Sequence, residues 1–353
     1  MKKLFAMFLA ILMASSLAAC GNSGSGNAAA GSAAASGSAA SSASNAQYTL
    51  VIGSTVQDDS ASGKALLDYF KPYVEEHSNG QIQVEVQNNS VLGNDQELFE
   101  ALQLNTIQGD FGPMSTLSSF SADYSVCDLP YLFADKDSAY AALDGDFGAA
   151  LAKNLPSLGM RLLAYGENAF RNISNSKRVI NTMEDLKGLK IRVMQSNVYI
   201  ATYSALGCNP TPMAFSELYT ALQQGTVDGQ DNGVVLTYTS KLYEVQKYYT
   251  FTGHIYAANA MVFSEQFFQS LPQDLQQVLT DGSLYAMKNQ RQMNTQMEDQ
   301  LIETMKSSGL QVNNLSADET AKFKAATASV WDKFSNTVSA DIFKMAESVR
   351  DAG

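Results

Sequence analysis

Two histidines, three cysteines and scattered carboxylates are the residues of this chain that could do chemistry, and their spacing recommends little catalysis. His77 closes a polar stretch and reads as solvated. His254 lies between Phe251 and Ile255, where a strand crossing would hold a hydrogen-bonded structural histidine. No Gly-x-Ser-x-Gly elbow and no His-Glu-x-x-His pair occurs. Asp228 to Gly233 has the outline of a calcium loop, but Gln230 fails its third position and Thr239 its twelfth, where a bidentate glutamate belongs. Asp58 and Asp59 are adjacent and would point oppositely on an extended segment. A secreted hydrolase using paired carboxylates stays open as an alternative that no spacing recommends; an enzyme, a metal or a cofactor is not expected.

Cys20 points to a different chemistry. Met1, Lys2 and Lys3 form a basic head, and the apolar run from Leu4 to Ser16 is shorter than the roughly 20 residues a bilayer span needs. Leu17, Ala18 and Ala19 then put small residues before a cut at Cys20. The arrangement resembles the lipobox of bacterial lipoproteins, in which the cysteine is acylated and becomes the new N-terminus. Residues 1–19 are therefore expected to be a lipoprotein signal peptide. Gly21 to Ala46 is almost wholly Gly, Ser, Ala and Asn, with nothing to bury. Residues 20–46 read as a lipidated cysteine and a disordered linker that reaches about 25 to 30 Å. The protein is expected outside the cytoplasm, anchored by lipid to the bacterial cell membrane. Cys127 and Cys208 remain, both in apolar surroundings, as a disulfide or as buried free thiols.

Charge narrows the partners. The chain has 23 basic and 35 acidic residues, a net charge of −12, which becomes −14 once Lys2 and Lys3 leave with the signal. An acidic surface argues against nucleic acid and against a basic lipid-binding face. An anionic ligand would need particular arginines to overcome that field locally. The rest of the chain after the linker is long enough for two lobes with separate cores, and a monomer is expected.

The elements that must position any site alternate. Tyr48–Gly53 reads as a buried strand, Ser60–His77 as a helix, Gln81–Val86 as a half-buried strand and Asp95 to about Leu104 as a helix. Gly109–Gly112 follows as a short strand ending at Pro113. Strand and helix in turn form the pattern of a parallel sheet covered on both faces, which binds ligands at the carboxyl ends of its strands. A second block offers strands at Arg161–Tyr165, Lys190–Val193, Val227–Gly229 and Tyr256–Phe263, with helices at Val198–Leu206 and Phe215–Gln223. Pro272–Ser308 and Ala317–Arg350 read as helices.

One stretch is far more specific. Asp185 to Val193, followed by Ala205 to Asn232, resembles the solute-binding subunits of tripartite ATP-independent periplasmic (TRAP) transporters, the DctP-type family. Gln87–Gly93, Cys127–Phe133, Phe170–Arg178 and Leu242–Lys247 match in order on either side, so the likeness runs from Tyr48 nearly to the C-terminus. It implies an α/β, two-lobed periplasmic-binding-protein fold, each lobe a mixed sheet flanked by helices, with ligand in the inter-lobe cleft. Residues 47–167 plus about 256–295 would form lobe I, and 168–255 plus about 296–353 lobe II. It implies extracytoplasmic capture of a small organic acid, a sugar acid such as a uronate or a C4-dicarboxylate, and delivery to TRAP permease membrane subunits. A ligand-capturing partner of a chemoreceptor is the other non-enzymatic reading.

The resemblance also assigns residues. Arg192 would form a bidentate salt bridge with a substrate carboxylate, a task suited to the planar guanidinium fork; the plainer alternative is a surface arginine paired with a nearby aspartate. Arg171 would lie near the same carboxylate, Asn232 would hydrogen-bond it, and Asp231 would orient an arginine. Phe215 and Asn168 would line the site. From lobe I, Thr55, Asp95 and Met114, beside Pro113, would meet the rest of the solute. Sialic-acid binders carry Glu where Pro113 stands and Asn where Thr55 stands, so sialic acid is not expected. With no arginine in lobe I before Arg161, the reading tilts towards a hydroxylated monocarboxylate.

Overall fold

A computed structural model of the protein describes residues 46–353, so the expected signal peptide, Cys20 and nearly all of the linker lie outside the described residues. The first sheet has the order β2-β1-β3-β10-β4. β1 (Tyr48–Gly53) pairs in parallel with β2 (Ile82–Gln87) and β3 (Gly109–Pro113), as the alternation of strand and helix predicts. β10 (Tyr256–Ser264) and β4 (Met160–Phe170) then add antiparallel, so the sheet is mixed and not the fully parallel one that alternation alone suggests. The second sheet, order β11-β9-β5-β8-β6-β7, joins β5 (Asn172–Asn175), β6 (Lys190–Val193), β7 (Asn209–Pro212), β8 (Gly229–Asn232), β9 (Tyr248–Phe251) and β11 (Gln311–Asn314).

Local chemistry explains the helices that carry the site. Ser60 caps the helix Ala61–Lys64, its Oγ accepting from the Gly63 amide at 3.0 Å, and the helix continues through a π turn, Ala65–Phe70, into Lys71–His77. Leu66, Phe70 and Val74 face Leu50, Ile52 and Val84 of the sheet, each buried side chain worth about 1.5–3 kcal/mol. Asn94 and Glu97 form a capping box at the start of Asp95–Gln103, which holds Asp95 in the first turn.

The helix Gln273–Ser307 spans both lobes. Leu275, Leu279, Ala286 and Met287 pack in the core of the first sheet; Leu301, Ile302 and Met305 pack with Tyr249 of the second sheet and with Val234 and Val235 of a helix beside it. Midway, the side chain of Gln290 bonds both backbone groups of Glu167, at 2.9 and 2.6 Å, and Asn294 Nδ2 donates to Glu167 Oε1 at 2.6 Å. Lys136 Nζ, at 3.0 Å, neutralises that buried carboxylate. The helix is thus fixed where β4 leaves the first sheet.

Two expectations need correction. The strand expected at Val227–Gly229 is Gly229–Asn232, so Asn232 is a strand residue. The final helix is two, Ala317–Phe334 and Ala340–Ala352. Trp331, Phe334, Val338, Ile342 and Ala346, expected in lobe II, share one core with Tyr124 and Phe147 and with Val198 and Ala201. Cys127 and Cys208 are free thiols buried in different cores. No described helix is long and apolar enough to cross a membrane.

Candidate functional site

The chain passes between the sheets at Arg171, between β4 and β5, and again between β9 and β10. The two crossings touch, with the Arg171 amide donating to Ile255 O at 2.8 Å. The cavity beside them takes its walls from both lobes: Thr55, Asp95, Phe111 and Pro113 from the first, Arg192, Phe215 and Asn232 from the second. Asn168 and Arg171 line it from the β4 crossing, and Asn259 from β10. Seven of the eight residues expected at a ligand site therefore meet there. The eighth, Met114, does not. It begins a short helix and is buried in the core with Leu98, Phe99 and Leu117, while Pro113 faces the cavity.

Arg192 is 2% exposed, on β6 opposite Gln230 of β8. Its Nε and Nη2 donate to one backbone carbonyl, Met213 O, at 3.0 and 2.7 Å. Phe215 stands 5.9 Å from the guanidinium. Among the described residues Arg192 has no ion-pair partner, which removes the alternative of a surface arginine neutralised by a neighbour. Burial, and then the like charge of Arg171, lower its pKa to about 10, so it stays cationic at neutral pH. A buried cation held by a neutral carbonyl is costly and therefore ready for an anion.

Arg171 is satisfied. Its Nε and Nη2 meet Asp231 Oδ2 and Oδ1 at 2.8 and 3.0 Å, and Tyr199 lies 5.1 Å beneath it. Burial works against the Arg171 charge, but Asp231 overrides it and holds the guanidinium charged. Burial would likewise raise Asp231; Arg171 and then the hydrogen bond from His254 hold it below the usual carboxylate range. His254 is a structural residue, with Nε2 3.3 Å from Asp231 and Nδ1 2.8 Å from Thr252 Oγ1.

Lobe I presents different chemistry. Thr55 Oγ1 donates to Asp95 Oδ1 at 2.8 Å. Burial raises the Asp95 pKa, while Thr55 and Arg192 draw it back. Behind it Asp110 is wholly buried with no partner for either oxygen, and burial and then Asp95 push its pKa well up. Asn232 Nδ2 donates to Gln230 Oε1 at 2.6 Å. Asn259, 4% exposed, has an Oδ1 with no partner; sequence reasoning passed over it, although it is the one amide in β10 and stands among alanines, and such a residue needs a reason to be there.

The lobes are shut on this cavity. Ser240 Oγ donates to Gln57 Oε1 at 2.8 Å, Ser196 Oγ to Asp128 Oδ2 at 2.9 Å, and Ser115 Oγ lies 3.3 Å from Met194 Sδ. The enclosed space is about 30 Å³, enough for a water or two but not for an organic acid. An acid can enter only if the lobes part or the lining shifts.

A family model described as bacterial extracellular solute-binding protein, family 7, matches residues 52–337. The 2,3-diketo-L-gulonate-binding periplasmic protein YiaO of Escherichia coli is 32% identical over 80% of this chain and 86% of its own length. The sugar acid binding protein DctPAm of Advenella mimigardefordensis, solved with galactonate, superposes with a TM-score of 0.84 at 32% identity, covering 86% of this chain and 98% of that one. A TRAP periplasmic solute binding protein of Sulfurospirillum deleyianum, solved with succinate, gives 0.81 at 31% identity over 86% and 99%.

Proposed function

We propose that this chain, which belongs to bacterial extracellular solute-binding protein family 7, captures a small organic acid between its lobes and delivers it to a TRAP-type membrane permease. The observation that carries the reading is Arg192, a buried cation whose fork is held by a carbonyl and which has no acidic partner among the described residues. An incoming carboxylate completes that pair, with Asn232 and the Arg171–Asp231 unit beside it.

The ligand is a hydroxylated acid such as a uronate or aldonate, in preference to a C4-dicarboxylate. Both arginines of the cavity stand on the lobe II side, whereas lobe I offers the Thr55–Asp95 pair and the Asn259 amide. Those groups exchange hydrogen bonds with hydroxyls, and a second carboxylate would face Asp95. The galactonate complex of the Advenella relative supports the first class, and the succinate complex keeps the second as the competitor. Outside the described residues, Cys20 would carry the lipid anchor that holds the protein beside its permease.

A thermal-shift screen tests the reading. A ligand that binds only the native state at about 100 times its Kd adds about 2.7 kcal/mol of stability. Galactonate or glucuronate should raise Tm more than succinate. A screen in which no organic acid raises Tm would overturn the proposal.

A further inference from the structure

A second cavity lies behind the crossings and shares no lining residue with the anion cleft. It encloses about 610 Å³, within the range of small-molecule sites. Its walls are the segment around Tyr131, the crossing at Thr252 and Gly253, and the helix Ala317–Phe334, with Arg350 above. Lys324 Nζ stands 5.3 Å from the Tyr131 ring centre, and the Arg350 guanidinium 4.4 Å from that of Trp331. Lys324 has no ion-pair partner among the described residues, and Arg350 meets only Asp351, an exposed neighbour, at 2.8 Å. Asp332 and Gly353, the last residue of the chain, also line these walls, so Lys324 is the cation left without a partner there.

The aromatic walls are fixed in place. Trp331 Nε1 donates to Pro130 O at 2.9 Å. Tyr131 holds the left-handed backbone region at φ 57°, its amide donating to His254 O at 2.9 Å, and its hydroxyl is buried without a partner. A cation held over a ring keeps its charge available to an anion while the ring offers a flat apolar contact. Walls already ordered lose little freedom when a ligand arrives.

We propose that this cavity is a second ligand site, for a small organic anion with an aromatic body. The anionic group lies between Lys324 and Arg350, and the ring lies against Tyr131 and Trp331. The site is independent of what the cleft binds.

Trp331 is the only tryptophan of the chain, so its emission reports on this cavity directly. The full-length protein is titrated with phenylacetate, with phenylacetamide as the neutral match and acetate as the anion without a ring. Phenylacetate should change the emission saturably, with half-saturation about tenfold lower than for either control, a difference of about 1.4 kcal/mol. The double variant Lys324→Ala with Arg350→Ala should raise that half-saturation by about tenfold or more. Lys324 is exposed and Arg350 half-buried, so the variant should keep the fold, which its circular dichroism checks. Arg192→Ala, which disables the cleft, should leave the titration unchanged. A linear response, an equal response to phenylacetamide, an unaltered titration in the folded double variant, or loss of the signal in Arg192→Ala would each overturn the site.

Discussion

Arg171 and Asp231 form a closed pair, Nε to Oδ2 at 2.8 Å with neither side chain reaching solvent, and this pairing separates the roles of the two arginines. One guanidinium is neutralised within the protein. The other, Arg192, rests on a peptide carbonyl and has no acidic partner among the described residues.

Asp231→Asn should therefore cost about 3 to 5 kcal/mol of stability, because it strands the Arg171 charge in the interior. Urea denaturation measures it. A loss below about 1 kcal/mol would mean that another group neutralises Arg171.

Arg192→Ala should do the reverse. Stability should hold or rise, since an unpaired buried cation is removed, while binding of the correct acid weakens by about 2 to 5 kcal/mol. Arg192→Lys should restore little, because an ammonium lacks the fork. Calorimetry with galactonate reads both, and near wild-type affinity in Arg192→Ala would place the carboxylate elsewhere.

Asp128 carries a pH signature. Burial raises its pKa to about 7, with the hydrogen bond from Ser196 and the charge of Arg171 opposing and Asp231 adding to the rise. The native state then holds a proton that the unfolded chain gives up near its ordinary value. Stability should fall as pH rises from about 4 to about 7 through this group, with a slope approaching 1.4 kcal/mol per pH unit, and level off above. Asp128→Asn should remove that part of the slope. Asp231 acts oppositely, since its stabilisation is present above the unfolded pKa and is lost below about pH 4.

Asn259→Ala tests the residue that sequence reasoning passed over. Removing an unpartnered buried amide oxygen should leave stability within about 1 kcal/mol. Affinity for a hydroxylated acid should fall by about tenfold, or about 1.4 kcal/mol. An unchanged affinity would show that the amide is not used.

Lobe motion is testable by X-ray scattering. A ligand bridging Thr55 and Asp95 on one side and Arg192 and Asn232 on the other favours whichever state brings them together. The free protein should show a larger radius of gyration that shrinks towards the shut form with saturating acid, and Arg192→Ala at the same concentration should not shrink. Identical curves with and without ligand would sink hinged capture.

Much of this was legible before the structure. β1, β6 and the helix at Phe215–Gln223 follow from apolar runs and periodicity. What was missed lacked that signal. β5, Asn-Ile-Ser-Asn, is buried yet polar, so no alternation marks it. β7, Asn-Pro-Thr-Pro, carries two prolines, which only an edge strand tolerates. The break at Ser335–Ser339 has neither Gly nor Pro to mark it, and within it Val338 is buried in the core. The resemblance put Met114 in the cleft, but β3 ends at Pro113 and the short helix that follows turns Met114 inward. The division of labour between Arg171 and Arg192 depends on where Asp231 lands in three dimensions, and neighbouring letters do not encode that.

The pinning of the long helix at Glu167 has a wider consequence. Because Gln273–Ser307 supplies core side chains to both sheets, neither lobe can melt and leave the other a finished interior. Heating should give one cooperative transition in place of two, and a protease cut within that helix should abolish both halves together. Two lobes that part to admit a solute would thus remain, thermodynamically, a single body.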